Sequence, residues 1–104
     1  MYRQGDVLIV PTRSIPKSAK QIDREDGCVV LAHGEVTGHA HVIYDKRAAL
    51  FRDPKLAKIF MHVSGNSSVD LVHDEHSTIA IPPGDYQVIR QSEYTPQEIR
   101  NVAD

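Results

Sequence analysis

Short apolar runs, separated at regular intervals by glycine, proline and charged turn residues, restrict the fold of this chain more than any other feature. The runs are rich in β-branched residues or alternate with polar ones, which favours strands. We predict about eight strands at a spacing of roughly 8–12 residues. They are expected at 6–10, 28–32, 39–44, 48–51, 56–63, 69–72, 78–81 and 86–91. This pattern predicts a mostly β, single-domain barrel or sandwich over residues 1–104.

The C-terminal residues differ in kind from the rest of the chain. The pattern is that of a helix start: Thr95 is the N-cap, Pro96 is the first helical residue and Glu98 is the capping-box partner of Thr95. They predict a short helix over residues 96–103.

The charge balance limits the partners to be expected. With 12 basic and 14 acidic residues the net charge is −2. This charge gives no general attraction to nucleic acid or anionic lipid. It disfavours nucleic acid as a partner but does not exclude it. No apolar run reaches the ~18–20 residues that a membrane helix needs, and the N-terminus lacks a signal-peptide pattern. We therefore expect no membrane association and a cytoplasmic location, which the single cysteine, Cys28, also fits.

The six histidines carry the functional argument. His39 and His41 are two residues apart in a predicted strand, so their imidazoles should project from the same face. A denser group of ligand-type side chains follows at His73-Asp74-Glu75-His76. Neutral imidazoles with one carboxylate bind transition metals and leave coordination positions open for water or substrate. Antiparallel pairing can bring the two groups together.

We therefore predict that His39, His41 and His76 bind a divalent metal, which could be Zn, Fe, Mn or Ni. His73 or Glu75 is expected to serve as a further ligand or as the catalytic base. Glu35 is a further carboxylate candidate, and lone His33 and His62 are expected to have structural or surface roles.

Several functions stay open at this point. A metal-bound water suits a hydrolase or lyase acting on a small polar substrate, whereas Fe(II) suits an oxygenase. A non-enzymatic alternative is a module that binds a protein or single-stranded nucleic acid through Arg3, Arg90, Tyr94 and Arg100. A third is a structural subunit whose histidines lie at the interface of a homo-oligomer.

The first histidine pair loosely resembles the first cupin motif, in which glycine precedes His-x-His and an acidic residue follows. The matching residues are Gly34 or Gly38, His39, His41 and Asp45. Pro82-Pro83-Gly84 is similar to the start of the second cupin motif, but Gln87 stands where that motif has histidine. The resemblance implies that His76 would have to replace the missing ligand.

A closer resemblance, to a group of small uncharacterised bacterial and phage proteins, covers nearly the whole chain. The strings that carry it are RQGDVL (3–8), GEVTGHAH (34–41), HDEH (73–76), PPGDY (82–86) and EYTP (93–96). No activity is established for that group, so the resemblance implies a family without a function.

Overall fold

A computed structural model describes residues 1–34 and 39–91 of the chain. These residues form a mostly β structure with ten strands and no α-helix. The strands are β1 (Tyr2–Gln4), β2 (Val7–Pro11), β3 (Lys20–Gln21), β4 (Val29–His33), β5 (Ala40–Ile43), β6 (Ala48–Asp53), β7 (Lys58–Val63), β8 (Val69–Leu71), β9 (Ile79–Ile81) and β10 (Gly84–Arg90). The predicted C-terminal helix at 96–103 and the candidate Glu35 lie outside the described residues.

Six strands form one antiparallel sheet in the order β1-β2-β10-β7-β6-β3. Two smaller sheets pair β4 with β5 and β8 with β9. Val42 and Val72 join the small sheets through two backbone hydrogen bonds of 2.9 and 2.8 Å.

The large sheet is open in the described part of the chain, so the barrel alternative of the prediction is wrong. Its edge strands, β1 and β3, are three and two residues long and pair with only one neighbour each. Closing a barrel requires the two edge strands to pair with one another.

One apolar cluster connects the large sheet to the small ones. The large sheet contributes residues such as Ile9 and Met61, and the small sheets contribute Ile43, Leu71 and Ile81, all of them fully buried. Burying each such side chain is worth about 1.5–3 kcal/mol. The core therefore lies between the large sheet and the small sheets.

The eight predicted strands are all present, with ends displaced by at most two residues. The predicted strand at 56–63 contains β7, along which Ile59, Met61 and Val63 alternate with other residues. Two strands were missed. β1 has a single apolar residue, Tyr2, and β3 is an exposed Lys-Gln pair, so neither carries an apolar pattern.

The turn of the β1–β2 hairpin lies next to the end of β10. Gln4 pairs with Val7, so Gly5 and Asp6 form a two-residue turn. Gly5 has a φ of 59°, the positive value that a type II′ turn requires at its first position. Arg90 lies opposite Val7 in the neighbouring strand, which places its side chain close to this turn.

No helix in the described ranges is long and apolar enough to cross a membrane.

Candidate functional site

Three histidine rings from two distant segments meet beside the β1–β2 turn. His41 comes from β5, and His73 and His76 come from the loop between β8 and β9. The ring centroids of His41 and His73 are 4.2 Å apart, those of His73 and His76 are 4.7 Å apart, and those of His41 and His76 are 5.9 Å apart. We call these three residues the histidine cluster.

His39 lies at the outer side of the cluster. It precedes β5, which begins at Ala40, and its ring meets that of His73 edge-on at 5.9 Å. Its Nδ1 is 3.1 Å from a Glu75 oxygen, and its Nε2 is 3.4 Å from an Asp74 oxygen. The hydrogen bond with His39 lowers the pKa of Glu75. Both ring nitrogens of His39 therefore face exposed carboxylates.

Gln4 ties the cluster to the backbone. Its side chain is buried, and its Nε2 donates to the carbonyls of Leu71 and Ser77, each at 2.9 Å. These carbonyls flank the loop that carries His73 and His76. Because both amide hydrogens are used, Oε1 is the acceptor for His41 Nδ1, which lies 2.8 Å away.

This hydrogen bond assigns the tautomer of His41. Its proton must lie on Nδ1, so Nε2 of the neutral ring has an unprotonated lone pair. His41 is buried, with a relative exposure of 5%. Burial, followed by the nearby charge of His73, lowers the pKa of His41 to about 4, although Asp6 acts in the opposite direction. The ring is therefore neutral at pH 7.

His73 has the opposite tautomer. The backbone N–H of Glu75 donates to Nδ1 of His73 at 3.0 Å. That nitrogen is thus an acceptor, and the proton of the neutral ring lies on Nε2. Two adjacent imidazoles therefore offer complementary groups: a lone pair on His41 Nε2 and an N–H on His73 Nε2.

Asp6 faces the lone pair of His41. Its Oδ1 is 3.7 Å from His41 Nε2, and its Oδ2 is 3.3 Å from Arg90 Nε. Arg90 also donates from Nη2 to the carbonyl of His33 at 2.7 Å. The backbone N–H of Gln91 donates to the Asp6 carbonyl at 2.8 Å. The end of β10 therefore holds Asp6 in place.

Gly5 lets two rings approach the turn. A Cβ at this position would lie only 2.7 Å from Nε2 of His76 and 3.3 Å from Cε1 of His41. The nitrogen-bearing edges of both rings therefore converge over a residue that has no side chain, directly beside Asp6.

Gln4, Gly5 and Asp6 were not predicted as site residues, and Arg90 was predicted only as part of the binding-module alternative. The only signal for the first three residues is the RQGDVL string, which carries the family resemblance. A polar Gln4 immediately before a Gly-Asp turn carries no chemical signature by itself. The role of Gln4 is visible only in the folded chain, where the β1–β2 hairpin lies beside the loop between β8 and β9.

Across the described ranges, no group of three His, Cys, Asp or Glu side chains is arranged to hold a metal ion. Two exposed histidines are paired elsewhere: His33 Nε2 lies 3.2 Å from Glu25, and His62 Nδ1 lies 2.6 Å from Asp85. Cys28 is buried and forms no disulfide.

The cupin resemblance does not extend to the geometry of the site. Asp45 accepts hydrogen bonds from the backbone and guanidinium of Arg47, so it is engaged in its own turn. Gln87 alternates with the buried Tyr86 and Val88 along β10, and so projects from the opposite side of the sheet. Neither residue lies in the histidine cluster.

The structure describes two of the four residues of the binding-module alternative, Arg3 and Arg90. Arg90 is engaged by Asp6 and His33, whereas Arg3 is exposed on β1. Tyr94 and Arg100 lie outside the described residues.

The chain belongs to a protein family described as "Domain of unknown function (DUF8820)", which it matches over residues 3–91. This span includes every described residue of the candidate site. No curated protein and no solved structure shows a significant match to the chain.

Proposed function

We propose that the histidine cluster binds one divalent metal ion, with Nε2 of His41 as the anchoring ligand and His76 as the second imidazole. The observation that carries this proposal is the hydrogen bond from His41 Nδ1 to Gln4. Metal-ligating histidines commonly donate their other N–H to an oxygen, which orients the ring and raises its basicity. A buried ring held in this tautomer is prepared to bind a cation without first losing a proton.

His76 is the second ligand because its Nε2 lies against Gly5, next to His41. It is exposed and belongs to a loop, so rotation of its side chain can bring Nε2 towards the ion. His39 is placed outside the ligand set because each of its ring nitrogens already faces a carboxylate.

The chemistry that we propose is hydrolysis or elimination on a small polar substrate. A bound divalent ion would supply an activated water. His73, with its proton on Nε2 beside His41, is the group that would protonate a leaving atom. Glu75 supports His73 through its backbone N–H and supports His39 through its carboxylate. A proton donor beside a metal-bound water favours acid–base chemistry over an oxygenase reaction.

The test is a calorimetric titration of the metal-free chain with Zn²⁺, compared with His41→Ala and His62→Ala. We expect one ion per chain for the wild type and for His62→Ala, and no measurable binding for His41→Ala. His62 is the matched control because it is an exposed, carboxylate-paired histidine outside the cluster. A wild-type chain that binds no zinc, or a His41→Ala variant that binds it equally well, would contradict the proposal.

A further inference from the structure

We propose that the end of the large sheet at the β6–β7 turn binds the phosphate backbones of double-stranded DNA. Five exposed basic side chains surround this end: Lys17, Lys20, Arg52, Lys55 and Lys58. We call these five residues the basic end. None of them is among the residues that the sequence suggested for nucleic-acid binding. The proposal goes beyond the metal site and does not depend on it.

The charges of the chain are unevenly distributed, which its net charge of −2 conceals. Segments 17–22 and 50–59 contain five of the 12 basic residues and only one of the 14 acidic residues. That acid, Asp53, is buried and accepts hydrogen bonds from Ser18 Oγ at 3.1 Å and from the backbone N–H of Lys55 at 3.0 Å. Among the described residues, no acidic side chain forms an ion pair with the basic end. This end of the sheet therefore has a local positive field.

Lys20 and Arg52 are placed unfavourably unless an anion lies near them. They are directly opposite one another in the β3–β6 pairing, so their side chains project from the same face with Cβ atoms about 5 Å apart. Like charges at this spacing destabilise a sheet. On the other side of Arg52 the opposite residue is Ile59, which offers no compensating charge. A phosphate between the two cations would replace their repulsion with attraction to one shared group.

The basic end extends over both faces of the sheet. Lys58 is opposite Asp53, the residue after Arg52, so it projects from the face opposite to that of Arg52. The serine after Lys17 donates to Asp53 and so brings Lys17 close to this second face. Lys55 lies in the turn between the two strands. Cations therefore flank the tip of the β6–β7 ribbon on two sides.

This arrangement fits a groove that is bordered by two phosphate backbones. The major groove of DNA is about 12 Å wide and admits a two-stranded β-ribbon. Cations on the two faces of the ribbon could each reach one backbone, whereas a flat membrane would meet only one plane of charge. In the described ranges, the large apolar side chain exposed in this turn is Leu56. It is not aromatic, so the stacking platform typical of single-strand binding is missing. The expected contact is therefore to phosphates and independent of sequence.

The test measures the binding of a short fluorescent DNA duplex by fluorescence anisotropy at a series of salt concentrations. A chelator is present throughout, so a failure here leaves the proposed metal site standing. We expect the logarithm of the binding constant to fall linearly with the logarithm of salt concentration. The slope should be about −4.5 if all five cations contact phosphates, since each neutralised phosphate contributes about −0.9. A wild type that binds no duplex at low salt, or whose binding does not depend on salt, would overturn the proposal.

The double variant Lys20→Gln/Arg52→Gln should bind more weakly, with a slope that is less steep by about 1.8. The loss should be the same for two duplexes of unrelated sequence. The matched control is Arg13→Gln/Lys46→Gln, which removes one arginine and one lysine that are also exposed but lie outside the basic end. It should keep the wild-type slope. Because the first variant removes a like-charge contact, it should be at least as stable as the wild type. Equal slopes for the two variants would overturn the proposal.

Two further probes separate DNA from other anionic partners. Polyglutamate represents an acidic protein segment, and vesicles of phosphatidylcholine with phosphatidylserine represent an anionic membrane. We expect both to bind more weakly than the duplex. Tighter binding to either probe than to the duplex, lost in Lys20→Gln/Arg52→Gln, would assign the basic end to that partner and overturn the assignment to DNA.

Discussion

The side-chain amide of Gln4 determines which nitrogen of His41 carries a proton. Its Nε2 is committed to the carbonyls of Leu71 and Ser77, so its Oε1 accepts the hydrogen bond from His41 Nδ1 at 2.8 Å. Gln4, a buried residue of β1, therefore links the two ends of the loop between β8 and β9 and orients the imidazole of His41.

Replacing Gln4 with alanine should affect both stability and metal binding. The change leaves His41 Nδ1 and two carbonyls without their partner, so we expect the free energy of unfolding to fall by about 1–3 kcal/mol. Metal affinity should fall about 10–100-fold, as for other outer contacts of ligating histidines. Urea denaturation and calorimetry measure the two effects. Gln21→Ala, at an exposed position of β3, is the control, and equal behaviour of the two variants would contradict the assigned role of Gln4.

Gly5→Ala should displace His76. The position has a positive φ and lacks room for a Cβ, which would lie 2.7 Å from His76 Nε2. We expect a loss of about 1–2 kcal/mol from the left-handed backbone alone and a further loss of metal affinity from the steric contact.

Gly27→Ala separates these two effects, because Gly27 also has a positive φ but its Cβ would meet nothing within 4 Å. It should lose stability and keep wild-type metal affinity. If Gly5→Ala also keeps wild-type affinity, then the approach of His76 to Gly5 is not needed for binding.

The stability of the metal-free chain should depend on pH through His41. Burial lowers its pKa in the folded state to about 4, whereas an unfolded histidine has a pKa of about 6.5. Between these values the unfolded state binds more protons, so the free energy of unfolding rises as pH increases from about 4 to about 6.5. Above this window, His41 adds no further pH dependence. We expect a total change of about 1–3 kcal/mol.

Urea denaturation at a series of pH values, with a chelator present, measures this change. His41→Asn keeps a donor that can reach Gln4 but cannot titrate, so it should reduce the slope. His62→Asn should leave it as in the wild type. A slope that is identical in His41→Asn and wild type would show that other groups cause it.

The strands were predictable because their patterns are local. Alternation along 58–63 and β-branched residues along 7–11 indicate strands whatever the rest of the chain does. The strand order was not predictable, since β10 inserts between β2 and β7 and so pairs residues about eighty positions apart. Such pairings depend on the packing of the whole core.

The site was predictable in the same partial way. Histidine is a recognisable metal-ligand residue, so the sequence predicted that the His39–His41 pair and the 73–76 group would lie close together. In the structure the ring centroids of His41 and His73 are 4.2 Å apart. Gln4 and Asp6 were missed because glutamine and a turn aspartate are ordinary in any sequence. Their contacts with His41 join residues more than thirty positions apart.

The imidazole ¹H–¹⁵N spectrum of the uniformly labelled chain at pH 7, recorded before and after one equivalent of Zn²⁺, tests the central claim most directly. The account predicts that His41 begins as the Nδ1–H tautomer and that the Nε2 resonances of His41 and His76 shift together, saturating at one ion per chain. Those of His33 and His62 should stay in place. An Nε2–H tautomer for His41, or cluster resonances that zinc does not move, would contradict it.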